Sequence, residues 1–411
     1  MKTFKSQTLA LAERAQNDTA KVFAAIEKTA LENTGRVMEA FANNRVSEAH
    51  FAPTYGYGYG DTGRDTLDRV YAEVFEAEDA LVRHTFINGT HTIASALFGI
   101  LRPGNVLASL TGDPYDTLRG VIGMDGQKNG SLRDFGVDYV QLEPGGRDYF
   151  ARLEKMFSEC RPAAALIQRS GGYSLRAALS IDEIGDIIAA VKRISPDTVI
   201  VVDNCYGEFT ETREPTAVRA DVICGSLIKN PGGGLAGTGG YVAGKVAPIE
   251  LIAHRATVPG IGREAGCSMD FKRLAFQGFF VAPHVVSQAI KTAVFAARLM
   301  ELARFKSAPG YAARRSDIIQ RIIFGDREKL LGFVKGIQAG SPVDSFVTPE
   351  PWDMPGYDDP VVMAAGAFVQ GASIELSADA PMREPFLAYV QGGLTYESGR
   401  LGIMRALDSI I

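Results

Sequence analysis

Residues 163–203 constrain the fold of this chain more strongly than any other segment. Two fully apolar runs, 163–167 and 198–202, flank a stretch with helical periodicity. Ser180 and Glu183 have the spacing of a capping box at the start of that helix. Its apolar stripe consists of Ile181, Ile184, Ile187, Ile188, Val191 and Ile194. A helix between two apolar strands predicts a parallel sheet that is covered by helices on both faces.

The same alternation extends over the first 285 residues and then changes. Further strands are predicted at residues 80–83, 106–110, 137–142, 221–224 and 241–243. Beyond residue 285 we predict long helices at 287–305 and 314–335, and the Pro- and Gly-containing stretch 342–380 favours antiparallel hairpins. The expected organisation is an N-terminal helical arm (1–60), a large α/β domain (61–285) and a small α+β C-terminal domain (286–411).

Composition and charge exclude several classes of protein. Hydrophobic residues make up 46% of the 411 residues, so the chain can build a core and is not dominated by disorder. The net charge of −5 argues against a dedicated nucleic-acid binder, which needs a basic surface. Apolar runs fall short of the roughly 18 residues of a membrane helix. The N-terminal segment lacks the apolar core of a signal peptide, so we expect a cytoplasmic protein that does not bind membranes.

The cysteines and histidines do not form a recognisable metal or disulfide pattern. The four cysteines contain no C-x-x-C pair, and the five histidines are scattered without H-x-x-x-H spacing. We therefore expect no metal site and interpret the cysteines as small core residues.

Three segments together indicate a cofactor site. Asp203 ends one predicted strand, Lys229 follows the next strand, and Gly89-Thr90 lies at the start of a predicted helix. Ligands of parallel α/β sheets bind at the carboxyl ends of the strands. A carboxylate can pair with a protonated ring nitrogen, a lysine can form a Schiff base with an aldehyde, and a helix start can bind phosphate. Pyridoxal 5'-phosphate carries all three groups. Each residue alone has a commoner structural explanation, so the argument depends on the combination.

The motifs around these residues resemble a known family. Residues 201–206 (VVDNCY) and 225–234 (GSLIKNPGGG) resemble the cysteine and methionine metabolism branch of fold-type I pyridoxal-phosphate enzymes. Residues 55–61 (YGYGYGD), 112–117 (GDPYDT) and 391–397 (QGGLTYE) resemble its aluminium-resistance, or methionine gamma-lyase-like, family. The resemblance covers about residues 50–400. It implies a fold-type I architecture, with a mostly parallel central sheet and a smaller C-terminal α+β domain.

The resemblance also implies roles for five residues that would hold the cofactor. Lys229 would form the Schiff base with its aldehyde and later act as the acid/base. Asp203 would pair with the pyridine nitrogen. Ser226 would hydrogen-bond the phosphate, beside the backbone amides of Gly89 and Thr90.

Two further cofactor contacts are implied by the resemblance. Tyr115 would stack on the pyridine ring, although His91 competes for that position. Tyr57 would reach the phosphate of a neighbouring subunit. At this inter-subunit site the related gamma-lyases carry Tyr-x-Arg, whereas this chain has Tyr55-x-Tyr57. Arg64 is a candidate for the missing charge.

The substrate carboxylate is expected to bind an arginine near the C-terminus. Arg383 is the first candidate, because it lies between a predicted strand and the Gly392-Gly393 turn. Arg400 and Arg405 are the alternatives.

The resemblance implies a carbon–sulfur lyase that carries out β- or γ-elimination on a cysteine-, methionine- or cystathionine-like amino acid. Another fold-type I reaction, such as aldol cleavage or transamination, and a cofactor-binding stress-tolerance protein with little turnover remain alternatives. We also expect a homo-oligomer, a dimer of dimers. The reason is the composition of residues 55–60. Alternating Tyr and Gly would make a poor core strand, but they suit an extended arm that packs against a neighbouring subunit.

Overall fold

The larger of two β-sheets confirms the predicted mostly parallel core. The structure, a computed structural model, describes residues 4–126, 128–354 and 359–411. The seven strands of this sheet are β1 (Asp79–Arg83), β2 (Val106–Ser109), β3 (Asp138–Gln141), β4 (Ala164–Gln168), β5 (Val199–Asp203), β6 (Val222–Ser226) and β7 (Gly240–Gly244). Their order is β1-β7-β6-β5-β4-β2-β3, and within it only β7 runs antiparallel to its two neighbours.

Helices cover both faces of this sheet, which explains why its central strands are apolar throughout. The chain's helices are α1 (Ser6–Asn43), α2 (Thr62–Val74), α3 (Gly89–Ile100), α4 (Asp116–Ile122), α5 (Tyr149–Cys160), α6 (Ile181–Ile194), α7 (Val246–Ala256), α8 (Phe271–Leu302), α9 (Arg327–Ala339) and α10 (Tyr396–Asp408). One core contains buried residues of α2, α5, α6 and α8, and a second contains those of α3, α4 and α7. The molecule is therefore layered α/β/α around the large sheet.

Helix α6 begins as its sequence predicts. The Ser180 side chain accepts a hydrogen bond from the backbone N–H of Glu183, 3.3 Å away. The Glu183 carboxylate accepts one in return from the Ser180 N–H at 2.8 Å. Ile181, Ile184 and Ile188 are fully buried against the sheet. The capping box and the apolar stripe thus fix both the start of the helix and the face it turns inward.

The second sheet has five antiparallel strands. They are β8 (Lys306–Ala308), β9 (Gln320–Ile323), β10 (Val361–Ala364), β11 (Ser377–Pro381) and β12 (Leu387–Gln391), in the order β10-β11-β12-β9-β8. Buried side chains of α9 and α10 belong to the same core as β9, β11 and β12. This is the smaller α+β unit that the sequence predicts after the large sheet.

Two predictions for the C-terminal part need correction. The boundary expected at residue 285 falls inside α8, which runs without interruption through Pro283 from Phe271 to Leu302. The helix predicted at 314–335 is instead β9 followed by α9. Asp326 caps α9 by accepting a hydrogen bond from the Lys329 N–H at 2.8 Å, and β9 pairs with β12. Pairing with a strand distant in sequence therefore overrides the local helical pattern.

Helix α8 belongs to the core and packs against α1. It is long and apolar enough to span a membrane by length and composition, but 78% of its most apolar window is buried within the fold. Arg298 of α8 pairs with Asp18 of α1 at 2.6 Å, and Lys291 pairs with Glu27 at 2.6 Å. The apolar character of α8 is therefore explained by packing inside the protein.

Candidate active site

A cavity of about 620 Å³ lies at the carboxyl ends of the parallel strands, between the large sheet and the small one. Its walls come from the starts of α3 and α4, the ends of β4, β5 and β6, and the β11–β12 hairpin. Seven of the nine predicted site residues line it, namely Gly89, Thr90, Tyr115, Asp203, Ser226, Lys229 and Arg383. The fold thus gathers residues that are nearly 300 positions apart in sequence.

One end of the cavity is shaped for an anion. Ser226 ends β6, and its buried Oγ atom has no hydrogen-bond partner within residues 4–126, 128–354 and 359–411. A Cβ atom placed on Gly89 would lie 3.4 Å from the Ser226 Cβ atom and 3.3 Å from the Cys205 sulfur. A side chain at position 89 would therefore crowd the Ser226 hydroxyl.

The start of α3 supplies backbone donors at the same end. The Asn88 side chain caps this helix by accepting a hydrogen bond from the His91 N–H at 2.8 Å. The first N–H groups of a helix have no acceptor within the helix, and the helix dipole favours an anion there. The Thr90 hydroxyl lies 2.6 Å from the Thr117 hydroxyl, which joins the first turns of α3 and α4. Donors from two helix starts and one strand end thus surround a space suited to a phosphate group.

Asp203 provides a partly buried carboxyl to the cavity wall. It is the last residue of β5, and the Cys205 N–H donates to its Oδ1 atom at 3.1 Å. Burial raises the pKa of Asp203 above its ordinary value, and the charge of Lys229 opposes this rise. The charged form of a carboxyl in this environment is stabilised most when a cationic group faces it.

Lys229 follows β6 and projects into the same cavity. Its Nζ atom lies 3.8 Å from the centre of the Tyr206 ring. Burial acts to lower the pKa of Lys229, but Cys205, Tyr206 and Asp203 outweigh it, so the pKa lies above its ordinary value. The amine is therefore held next to both a carboxyl group and an aromatic face.

Tyr115 and His91, the two candidates for stacking, occupy different environments. Tyr115 lines the cavity at the start of α4, where its N–H donates to the Gln168 side chain at 2.7 Å. His91 does not line the cavity. Its Nδ1 atom accepts a hydrogen bond from the Ile87 N–H at 3.1 Å. The geometry favours Tyr115 over His91, although the stacking role itself stays a prediction.

Tyr57 lies outside the cavity of its own chain. Its side chain is 71% exposed and stacks on the Tyr59 ring, with 5.4 Å between ring centres. The Arg64 guanidinium donates to the backbone carbonyls of Gly58 and Gly266 at 3.1 and 2.9 Å. Arg64 thus stabilises the turn at Gly58 by hydrogen bonds to the backbone. The exposed tyrosines are accessible to a neighbouring molecule.

Arg383 is the only one of the three arginine candidates that lines the cavity described here. It lies in the β11–β12 hairpin, where its Nη1 atom pairs with Asp359 at 3.0 Å and its side chain is 54% exposed. Arg400 and Arg405 on α10 instead lie over the rings of Phe295 and Phe4. The position of Arg383 agrees with its rank as first candidate.

Among the cavity residues that the small sheet contributes, Asp379 and Gln391 were not predicted from the sequence. Asp379 of β11 lines the cavity, and the Gln391 side chain of β12 donates to its Oδ2 atom at 2.9 Å. Burial raises the pKa of Asp379 to about 6, against hydrogen bonds from Tyr173 and Gln391. Tyr206 was missed as well. Its left-handed backbone, with φ of 72°, is uncommon for a residue with a side chain and carries no sequence signal.

In the described part of the chain, no three His, Cys, Asp or Glu side chains lie close enough together to hold a metal ion.

Comparison with known proteins gives close relatives along the whole chain. The family described as methionine gamma-lyase matches residues 8–411. A crystal structure of a carbon–sulfur lyase involved in aluminium resistance from Clostridium novyi is 51% identical, with a TM-score of 0.96 over 99% of this chain and 97% of that one. A protein from Listeria monocytogenes, named as a candidate cystathionine beta-lyase involved in aluminium resistance, is 48% identical, with a TM-score of 0.95 over 98% and 100%.

A more distant likeness shows the fold alone. The pyridoxal-5'-phosphate-dependent protein YhfS from Escherichia coli is 18% identical, with a TM-score of 0.62 over 94% of this chain and 97% of that one. The α/β architecture with a smaller second sheet is thus shared with a pyridoxal-phosphate-dependent protein.

Proposed function

The chain belongs to the methionine gamma-lyase family, and from that premise we propose that it is a pyridoxal-phosphate-dependent carbon–sulfur lyase. Its substrate would be a cysteine-, methionine- or cystathionine-like amino acid. The observation that carries this proposal is the single cavity that holds Lys229, Asp203 and the anion-binding end at Ser226.

The residues present fit the cofactor. The Ser226 hydroxyl, which has no partner in the part of the chain that the structure describes, and the absence of a side chain at Gly89 leave a donor and space for a phosphate. Asp203 would face the pyridine nitrogen, and Lys229 would meet the aldehyde. When bound, pyridoxal phosphate supplies an electron sink for the bond-breaking steps at the substrate's α-carbon.

Lys229 is the residue placed to move protons. Its amine lies 3.8 Å from the centre of the Tyr206 ring and faces the cavity that Asp203 also lines. We assign to it the removal of the proton from the substrate's α-carbon once its Nζ atom is free. A general base in hydrogen-bond reach of a reacting carbon contributes roughly 10²–10⁴-fold in rate.

Asp203 and Tyr115 would orient the reacting group. The Asp203 carboxylate would keep a facing ring nitrogen protonated, because each charge stabilises the other in this partly buried position. The Tyr115 ring, at the start of α4, would cover one face of the pyridine. His91 remains the alternative for this position.

Arg383 would bind the substrate carboxylate from the part of the cavity wall that the small sheet forms. A guanidinium matches a carboxylate in geometry and charge. Its present pairing with Asp359 is half-exposed and therefore weak enough to be exchanged for a substrate.

We further propose a homo-oligomer, a dimer of dimers, in which Tyr57 of one subunit reaches the phosphate end of another. The support is the exposure of Tyr55, Tyr57 and Tyr59 on one surface segment, at 69%, 71% and 63%. A cytoplasmic location, expected for an enzyme of amino-acid metabolism, stays a prediction.

The β- and γ-elimination reactions share their first steps, and the named relatives point to both. A different fold-type I reaction, or a cofactor-binding stress-tolerance protein with little turnover, would use the same cofactor residues. These alternatives differ in their products.

The test is an assay of products. The cofactor-loaded protein is incubated with L-cysteine, L-methionine or L-cystathionine, with Lys229→Ala as the control. We expect thiol, 2-oxo acid and ammonia in equal amounts from at least one substrate. Cofactor binding without release of any of these products from all three would refute the lyase and favour the protein with little turnover.

A further inference from the structure

Arg315 is buried with most of its hydrogen-bonding capacity unused. Only 7% of the residue is exposed. Its Nη2 atom donates to the Gln320 side chain at 2.6 Å, whereas Nε and Nη1 have no acceptor among the residues described. Buried arginine donors are normally satisfied by protein groups, water or a ligand. The free N–H groups of Arg315 therefore call for an acceptor beyond the described residues, such as a bound ligand.

The residues that line the cavity beside Arg315 are mostly cationic among their charged members. Arg315 borders a small cavity of about 50 Å³, called here the Arg315 pocket. Four arginines line it, and among the described lining residues Asp317 supplies the single carboxyl. The four are Arg176, Arg314, Arg315 and Arg321.

Acidic groups beyond the lining offset this charge, but within the described residues none of them accepts a hydrogen bond from Arg315. Arg314 is paired with Glu211 and Asp182, both outside the pocket, and Glu301 favours the charged form of Arg315 from a distance. Arg176 and Arg321 donate to backbone carbonyls, which satisfy hydrogen bonds without cancelling charge. Burial raises the pKa of Asp317 and lowers that of Arg315 to about 10, so Arg315 keeps its charge at neutral pH. An anion in the pocket would accept hydrogen bonds from the Nε and Nη1 groups of Arg315, which have no acceptor among the described residues.

The Arg315 pocket adjoins the candidate active site. Gly171 and Gly172 form part of both walls. Ser170, which lines the larger cavity, donates to the Asp317 carboxyl of the pocket at 2.8 Å. A cavity needs about 10–15 Å³ to hold one water. The Arg315 pocket, at about 50 Å³, therefore has room for a group as small as a carboxylate or sulfate.

We propose that the Arg315 pocket is an oxyanion-binding site beside the active site. Its ligand is either the far carboxylate of a substrate with two carboxylates, such as cystathionine, or a free inorganic oxyanion. The first source rests on the proposed lyase function, whereas the second does not.

Isothermal titration calorimetry of the cofactor-loaded protein with sodium sulfate tests binding directly. We expect wild type to bind sulfate and Arg315→Met to bind at least tenfold more weakly, with partial recovery in Arg315→Lys. Arg263→Met serves as the matched control, because Arg263 pairs with Asp79 and lines neither cavity. It should bind sulfate like wild type.

Steady-state kinetics separates the two sources. If the pocket binds the substrate, Arg315→Met raises KM for L-cystathionine at least tenfold and leaves KM for L-methionine within twofold. If it binds a free oxyanion, sulfate binding is lost while both KM values stay within twofold. Wild-type sulfate affinity and unchanged KM values in Arg315→Met would overturn the proposal. If no substrate is turned over, calorimetry alone decides, so failure of the pocket and failure of the lyase are told apart.

Discussion

The Nζ atom of Lys229 lies 3.8 Å from the centre of the Tyr206 ring, inside the cavity that Asp203 also lines. Cation and ring face attract each other, and a nearby carboxyl strengthens the charged form of the lysine. Tyr206 follows Asp203 by three residues, so the turn after β5 brings both groups to the amine. The local chain thus controls the protonation of the residue to which we assign the chemistry.

Asp203→Asn is expected to fold normally and to lose most of its activity. The neutral amide cannot hold a facing ring nitrogen protonated, and loss of such a preorganised charge costs about 10²–10³-fold in rate. Turnover is measured together with the melting temperature and cofactor absorbance, which should stay close to wild type. Near-normal turnover would show that Asp203 is only structural.

Arg383→Met is expected to raise KM at least tenfold and to change kcat less. The variant removes the arginine that lines the cavity and breaks a half-exposed pair with Asp359 that contributes at most about 1 kcal/mol to stability. Arg400→Met and Arg405→Met are the controls. Both arginines lie on α10, over the rings of Phe295 and Phe4, and neither lines the cavity. A KM effect in either control instead of Arg383→Met would reassign the carboxylate site.

Active sites shared between subunits would be revealed by mixing two inactive variants. Lys229→Ala lacks the amine and Tyr57→Phe lacks the exposed hydroxyl, so each alone should be nearly inactive. Subunit exchange would rebuild some complete sites and restore part of the activity. A monomer on a sizing column, or no recovery despite demonstrated exchange, would count against the arm crossing to a neighbour.

Glu208→Gln is expected to change how stability depends on pH. Burial raises the pKa of Glu208 to about 8, with a further rise from Glu214. Its Oε1 atom accepts a hydrogen bond from the Tyr241 hydroxyl at 3.0 Å, while Oε2 has no partner within the described parts of the chain. The folded protein therefore holds the proton more tightly than the unfolded chain does.

The sign of the effect follows from that difference. The stabilisation by protonated Glu208 is complete below the unfolded pKa of about 4.5 and is lost as the pH rises through about 8. Over this window one proton changes the unfolding free energy by about 1.4 kcal/mol per pH unit. Melting temperatures of wild type and Glu208→Gln are compared at pH 5.5 and 8.5. The melting temperature of the variant should rise relative to that of wild type at the higher pH. A difference in melting temperature that is the same at both pH values would contradict this pKa.

The large domain was predictable because its signals are local. Each apolar run between helical stretches became a strand, and the capping box of α6 formed between the two residues that carry it. The parallel pairing of β5 and β6, with Asp203 opposite Cys224, then brings the ends of both strands, and so Asp203 and Ser226, to the same edge of the sheet. The rule that ligands bind at strand ends therefore located most of the site.

What the sequence did not predict depends on contacts between distant segments. Residues 320–323 look helical by periodicity but form β9, because β12 offers a pairing edge. Asp379 reaches the cavity through the register of β11 on β12. Arg315 becomes unusual only because it is buried with no acceptor for Nε and Nη1 among the described residues. None of these features is encoded in short-range spacing.

The central claim is that this cavity binds pyridoxal phosphate through Lys229. Borohydride reduction of the cofactor-loaded protein, followed by proteolysis and mass spectrometry, measures where the cofactor becomes covalently fixed. The account predicts a phosphopyridoxyl group on Lys229 in wild type and none at any lysine in Lys229→Ala. Attachment to a different lysine, or no attachment in a protein that has been offered the cofactor, would contradict it.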